Sequence, residues 1–153
     1  MRRSSPAFYN ETMIARPIHV AILDDDPSIR TALGRLLKAA GMATDAYATS
    51  DQLFGSVAQE RPDCLLLDFQ MPGMNGLDVL KYLNQRNIHI PTIVITGSGA
   101  DCRSDCLNAG AITCLKKPLD ADQLIDAIKM IGASSQLDPL LSFGDQKVFR
   151  SLI

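Results

Sequence analysis

Short apolar runs alternate with segments of helical periodicity from residue 18 to about residue 132. The runs are nearly continuous, which is typical of strands that are buried on both faces of a parallel sheet. One weaker run contains polar residues and fits an edge strand. This alternation predicts an α/β domain. The predicted strands are Ile18 to Leu23, Ala43 to Tyr47, Cys64 to Leu67, Thr92 to Ile95 and Ile112 to Leu115.

The first helix has clear boundaries in the sequence. Asp26 suits the N-cap, Pro27 the first helical position, and Gly41 the C-terminal stop. Five strand–helix units imply a doubly wound domain, in which functional residues gather beyond the carboxyl ends of the strands. The other helices are predicted near 50–59, 76–86, 101–109 and 120–131, with Asp120 as an N-cap and Gly110 and Gly132 as stops.

The charge balance limits the partners that we expect. The 153-residue chain has a formal net charge of −2, and its basic pairs, Arg2-Arg3 and Lys116-Lys117, are too short to form a nucleic-acid-binding face. No apolar run approaches the roughly 18 residues of a membrane span. The N-terminal residues are polar and contain a proline, unlike a secretion signal. We therefore predict a cytoplasmic protein that contacts neither nucleic acid nor membrane directly.

The four cysteines show no Cys-x-x-Cys pair. Cys64 and Cys114 fall in predicted strands, and Cys102 and Cys106 lie one turn apart on a predicted helix. We interpret them as buried, reduced thiols that act as small hydrophobic residues. The two histidines, at 19 and 89, have no zinc-ligand spacing relative to the cysteines.

Reactive side chains follow four of the five predicted strands. They are Asp24 and Asp25 after the first, Asp68 at the third, Thr96 at the fourth and Lys117 after the fifth. Clustered carboxylates stay ionised together only beside a cation, and an all-oxygen site suits Mg²⁺. Beside such an ion an aspartate can act as nucleophile toward phosphorus, with a lysine and a hydroxyl contacting the incoming group. The pattern therefore has every part needed for phosphoryl transfer to an aspartate.

The run LLLDFQMPGMNG at 65–76 resembles the phosphoacceptor motif of response-regulator receiver domains from two-component signalling. The resemblance covers roughly residues 18–132 and includes, in order, the acidic pair, this motif, Ile-Thr-Gly, Asn-Ala-Gly-Ala and Lys-Pro. Five landmarks in register are strong support. The resemblance implies a flavodoxin-like fold: a five-stranded parallel sheet in the order 2-1-3-4-5 with five helices.

The resemblance also implies roles for single residues. Asp68 matches the phosphoacceptor, Thr96 the switch hydroxyl and Lys117 the lysine that pairs with the phosphoryl group. Asp24 and Asp25 match the metal-binding acidic pair. The Mg²⁺ ligands implied are Asp24, Asp25, Asp68 and the backbone carbonyl of Gln70.

Other positions near the motif differ from the family pattern or are neutral. Cys114 stands where the family often has an aromatic residue that moves with the threonine, so output is expected to depend more on the Gly97-Ser98-Gly99 loop. Gln70 and Ser98 flank the pocket where family members tune attack by water. Pro118 follows Lys117 where the family commonly has a cis peptide bond.

Three alternative functions come from other classes. A phosphatase with an aspartate nucleophile typically carries a second acid two residues later, where this chain has Gln70. A flavodoxin-like redox module would need a hydroxyl-rich phosphate loop after the first strand, where this chain has acids. A pseudo-receiver that signals by binding alone finds no support, because the pocket looks complete.

We therefore predict a stand-alone receiver, a phosphoacceptor switch that assists its own phosphorylation and dephosphorylation and is not an ordinary enzyme. Its predicted partners are a sensor histidine kinase or histidine phosphotransfer protein and a downstream protein target. The sequence leaves undecided whether the chain also forms a homodimer. The domain organisation predicted is an N-terminal extension (1–17), a receiver domain (18–132) and a C-terminal tail (133–153) with apolar residues at helical spacing.

Overall fold

The computed structural model describes residues 16–97 and 102–137, with side chains up to residue 132. Three predicted features lie wholly or partly outside these ranges. They are most of the N-terminal extension, Ser98 and Gly99 of the predicted output loop, and the tail from residue 138. The strands are β1 (His19–Leu23), β2 (Ala43–Tyr47), β3 (Cys64–Asp68), β4 (Thr92–Thr96) and β5 (Thr113–Lys116). The helices are α1 (Pro27–Ala39), α2 (Ser50–Val57), α3 (Gly76–Gln85), α4 (Arg103–Asn108) and α5 (Ala121–Leu137).

The five strands form one parallel sheet in the order β2-β1-β3-β4-β5. This is the flavodoxin-like topology that the resemblance implied, and the prediction of the fold is confirmed. β2 lies at an edge, as its mixed composition predicted, and most of its residues are exposed or half-buried. β3 and β4, which lie inside the sheet, are buried along their whole length.

Alternate residues of β1 serve two separate cores. Val20 and Ile22 pack with α1 and α5 on one face of the sheet, in a core that includes Leu37 and Ile128. Ala21 and Leu23 point to the other face, where α2, α3 and α4 lie. Because both faces are covered, both residue parities are apolar, and this explains the continuous apolar runs in the sequence.

Several local predictions are confirmed. The Asp26 carboxylate accepts a hydrogen bond of 2.8 Å from the Ser28 N–H and so caps α1. Gly41 and Gly110 end α1 and α4 with left-handed φ values of 87° and 109°, which favour glycine. Asp120 accepts from the Gln123 N–H at 3.1 Å at the start of α5. All four cysteines are free and buried.

The prediction that Gly132 ends the last helix is wrong, because α5 continues through it to Leu137. A β-carbon at Gly132 would lie 2.6 Å from Cδ1 of Ile18. The glycine therefore permits close packing of α5 against the residue before β1. The predicted boundary between residues 132 and 133 stays a prediction, and no change of secondary structure marks it. α4 begins at Arg103, two residues after its predicted start.

Candidate functional site

The carboxyl ends of the central strands bring the predicted site residues to one edge of the sheet. Leu23 of β1 is in register with Leu67 of β3, so Asp24 and Asp68, the residues that follow, lie side by side. Thr96 ends β4 next to β3. The loop after β5 carries Lys117 to the same edge.

Three carboxylates meet there. One oxygen from each of Asp24, Asp25 and Asp68 lies within 4.8 Å of the other two. Asp24 and Asp68 are only 2% and 3% exposed, whereas Asp25 is open to solvent. Buried carboxylates at this spacing repel one another, and such a group is a common ligand set for a hard divalent cation.

One oxygen of Asp24 has a partner and the other has none. Oδ1 accepts a 2.9 Å hydrogen bond from the N–H of Asp26. Among the described residues, Asp24 Oδ2 is the buried side-chain oxygen or nitrogen without a hydrogen-bond partner. An unpaired buried carboxylate oxygen is costly unless something else contacts it. The donor set therefore fits Mg²⁺, which prefers oxygen ligands and keeps several waters.

The acidic cluster changes the protonation of its members. Burial raises the pKa of Asp24, and neighbouring acids add to this rise, while the N–H of Asp26 and the charge of Lys117 oppose it. Burial also raises the pKa of Asp68, followed by repulsion from Asp24, and Lys117 again opposes the rise. Both carboxylates thus favour a proton or a cation more than a solvated aspartate does.

Lys117 is the cation that the structure places in this cluster. Its Nζ donates to Oδ1 of Asp68 at 3.3 Å. Its backbone N–H donates to the carbonyl of Thr96 at 2.8 Å, which fixes the start of the loop after β5. The bond between Lys117 and Pro118 is cis, as the resemblance implied. The neighbouring Lys116 is exposed.

The remaining predicted residues border the cluster. The Thr96 residue is buried, 3% exposed, at the end of β4. Gln70 is exposed in the loop after β3, and its Oε1 lies 3.1 Å from the place that a β-carbon on Gly97 would occupy. Gly97 thus leaves room for the Gln70 side chain. The roles of Thr96 and of the Gln70 carbonyl stay predictions.

Two residues that support the site were missed from the sequence. Gly76 begins α3, and a β-carbon there would lie 2.9 Å from Cα of Phe69 and 3.2 Å from the carbonyl oxygen of Asp68. Its place in the Met-Pro-x-Met-x-Gly motif could have indicated this close approach. Arg30 of α1 donates to the carbonyl oxygen of Asp24 at 2.8 Å, and no sequence pattern signals that contact.

Fold and site together define a doubly wound α/β domain with a cluster of three aspartates and one lysine at the strand ends. A family model of the response regulator receiver domain matches residues 20–129. The chain belongs to this family. Receiver domains are phosphoacceptor switches of two-component signalling rather than turnover enzymes, and they interact with histidine kinases or phosphotransfer proteins.

Individual relatives agree with this assignment. The DNA-binding transcriptional regulator NtrC of Salmonella typhimurium is 36% identical over 111 residues, which are 72% of this chain and 24% of NtrC. Sporulation initiation phosphotransferase F of Bacillus subtilis is 35% identical over 111 residues, which are 72% of this chain and 90% of that protein. A crystal structure of a response regulator receiver protein from Burkholderia phymatum superposes with a TM-score of 0.68 at 35% identity, covering 77% of this chain and 96% of that one.

The chain spans about a quarter of the length of the NtrC proteins that it matches. The similarity therefore concerns the receiver part of those regulators. Within residues 16–97 and 102–137, the structure has no helix with the length and apolar content needed to cross a bilayer.

Proposed function

We propose that Asp68 is the phosphoacceptor of this receiver and that Lys117, Thr96 and a Mg²⁺ ion assist the transfer. The observation that carries the proposal is the contact of the Lys117 ammonium with a buried carboxylate inside a three-aspartate cluster. A lysine in this position can neutralise charge on a phosphoryl group that joins Asp68.

The transfer step follows from the chemistry of the groups. A carboxylate oxygen of Asp68 attacks the phosphorus of a phosphohistidine, an O–P bond forms, and the P–N bond breaks with its electron pair going to the imidazole. Lys117 would contact the arriving phosphoryl oxygens, and the Thr96 hydroxyl would donate a hydrogen bond to one of them. Water later attacks the phosphorus and restores the carboxylate with release of phosphate.

Asp24, Asp25, Asp68 and the backbone carbonyl of Gln70 are the groups that we propose as the protein ligands of Mg²⁺. When bound, the ion supplies positive charge beside the carboxylates and the phosphoryl oxygens. The unpaired Oδ2 of Asp24 supports this assignment, because a cation would satisfy a buried oxygen that the described residues leave without a partner.

Phosphorylation would then shift a two-state equilibrium at the end of β4 and at the surface of α4, β5 and α5. Cys114, buried in β5, replaces the aromatic residue common in the family, so we propose that the segment after Thr96 carries more of the change. The output would be protein–protein contact with a downstream target, in the cytoplasm.

Two kinds of partner follow from the family and the relatives. A sensor histidine kinase or histidine phosphotransfer protein would supply the phosphoryl group. Sporulation initiation phosphotransferase F, of which this chain covers 90%, supports a role as a phosphorelay intermediate. A homodimer is a further arrangement through which the switch could act.

Incubation of the full chain with acetyl phosphate and Mg²⁺ tests the proposal. We expect one phosphoryl group per chain, in an acid-stable and base-labile adduct. Asp68→Asn should abolish the adduct, whereas Asp126→Asn, at an exposed site on α5, should leave it unchanged. An adduct that persists in Asp68→Asn would place the acceptor on another residue, and a Mg²⁺-independent adduct would refute the metal requirement.

A further inference from the structure

Arg30 reaches back from the first turn of α1 to the end of β1. Its Nη1 donates to the main-chain carbonyl of Asp24 at 2.8 Å, and its side chain is half-buried. Its own N–H donates to the carbonyl of Asp26 at 3.1 Å. The bond to Asp26 is an ordinary main-chain i→i−4 bond of the helix, so it is the bond to Asp24 that depends on the arginine side chain.

The other hydrogen bonds of Asp24 fix the orientation of its main chain and its carboxylate. Its N–H donates to the carbonyl of Tyr47 at 3.2 Å, and its Oδ1 accepts from Asp26. With Arg30 on the carbonyl, the main chain of Asp24 is held on both sides and one carboxylate oxygen is fixed. The oxygen left over, Oδ2, faces no partner among the described residues.

Arg30 places a positive charge near the N-terminus of α1, where a positive charge is unfavourable. The N-terminal turn of a helix carries partial positive charge, so an arginine there is less favourable than an acid. α1 has no acid in its first turn. An arginine with no role beyond the helix surface would be more favourable elsewhere on the helix. Here its side chain donates to the main-chain carbonyl of Asp24, a proposed metal ligand.

We propose that Arg30 is a positioning residue for the metal site: through the Asp24 carbonyl it holds Asp24 Oδ2 toward the cation. The inference rests on the proposed function, because it assigns Arg30 a role in binding the Mg²⁺ of that site. Residues that orient metal ligands without touching the metal have large effects on affinity, and Arg30 fits that description.

The direction in which Arg30→Met changes the affinity for Mg²⁺ distinguishes a positioning role from a purely electrostatic one. Arg30→Met keeps the apolar stem and removes a positive charge near the cluster. If the guanidinium acted only through its charge, its loss would strengthen Mg²⁺ binding, since one repulsive cation is gone. If it positions Asp24, Mg²⁺ binding should weaken by about 10-fold or more, the usual effect of losing such a supporting contact.

Isothermal titration of the unphosphorylated full chain with Mg²⁺ provides the readout, with urea unfolding of each variant in parallel. Arg35→Met is the matched control, because Arg35 is an exposed arginine on the same helix. It should bind Mg²⁺ as tightly as the wild type or slightly more tightly. Arg30→Lys, which keeps the charge and a donor, should recover part of the affinity.

Unchanged or tighter Mg²⁺ binding by Arg30→Met overturns the inference, even if that variant is less stable. In that case a wild type that still binds Mg²⁺ and accepts phosphoryl on Asp68 leaves the proposed function intact. A folded wild type that binds no Mg²⁺ refutes the metal site itself, and the role of Arg30 with it.

Discussion

Lys117 Nζ lies 3.3 Å from Oδ1 of Asp68, although Asp68 ends β3 and Lys117 follows β5, two strands that do not pair with each other. β4 separates β3 from β5, so the loop after β5 must carry the lysine across the end of β4. The aspartate side chain is 4% exposed and the lysine 35%. A solvent-accessible ammonium thus contacts a carboxylate that water hardly reaches, and a group entering from solvent would meet both.

Replacing Lys117 should slow phosphorylation, whereas replacing its neighbour Lys116 should not. In Lys117→Met, we expect acetyl phosphate to label Asp68 about 100-fold more slowly, the scale for losing one positioned charge or donor at a reacting centre. The pKa of Asp68 should rise further, because Lys117 lowers it in the wild type. Lys116→Met removes an exposed charge one residue away and should label at nearly the wild-type rate. Intact-mass measurement of initial rates compares the two, and equal losses would contradict a specific role for Lys117.

The raised pKa values of Asp24 and Asp68 predict how stability depends on pH in the metal-free protein. Since the folded chain binds these protons more tightly than the unfolded chain, the free energy of unfolding falls as pH rises through the folded pKa values. Asp24→Asn removes one such carboxylate. At neutral pH with chelator it should be more stable than the wild type by roughly 0.5–3 kcal/mol, within the usual range for one substitution.

The difference between Asp24→Asn and the wild type should shrink as pH is lowered through the raised pKa, because the wild-type carboxyl then takes up its proton. Excess Mg²⁺ should stabilise the wild type and not the variant. Urea unfolding at several pH values measures both effects, with Asp126→Asn as an exposed control. A gap that widened toward acid pH would contradict the assignment of these shifts.

Gly76 and Gly55 form a matched pair for a test of backbone crowding at the site. A β-carbon on Gly76 would meet the backbone of Phe69 and Asp68, which cannot move without displacing the proposed phosphoacceptor, so Gly76→Ala should cost about 1–3 kcal/mol. Gly55 lies within α2 with no atom inside 4 Å of its added β-carbon. Gly55→Ala should therefore stabilise by about 0.5–1 kcal/mol through helix propensity. Urea unfolding measures both, and equal effects would show that crowding does not matter.

Much of this fold could be predicted because its determinants are local in sequence. Strands buried on both faces are apolar at nearly every position, and the runs that begin at Cys64 and Thr92 show this pattern in the sequence. Capping by Asp26 depends on a residue two positions away. The meeting of Asp24 with Asp68 followed from a general property of parallel sheets, in which successive strand ends share one edge.

The features that the sequence does not predict are contacts between residues distant in sequence and contacts that involve main-chain atoms. The sequence predicts a helix stop at Gly132 because glycine is common at helix ends, yet the glycine packs against Ile18, which is far away in the sequence. The bond from Arg30 goes to a main-chain carbonyl, and every residue has one, so composition could not indicate the target. The side chain of Gln70 meets Gly97 only because two loops converge.

The packing of Ile18 against Gly132 can be measured as a coupling energy. Gly132→Ala alone should destabilise by about 1 kcal/mol, because the new methyl would lie 2.6–3.1 Å from three side-chain carbons of Ile18, a clash that exceeds the gain in helix propensity. Ile18→Ala alone should also destabilise, since it removes apolar contacts with the core. In the double variant the smaller side chain at position 18 leaves room for the new methyl group. The destabilisation caused by Gly132→Ala should then vanish or become a small stabilisation. A double-mutant cycle by urea unfolding should give a coupling of about 1–2 kcal/mol, and costs that add within about 0.5 kcal/mol would show that the two residues do not constrain each other.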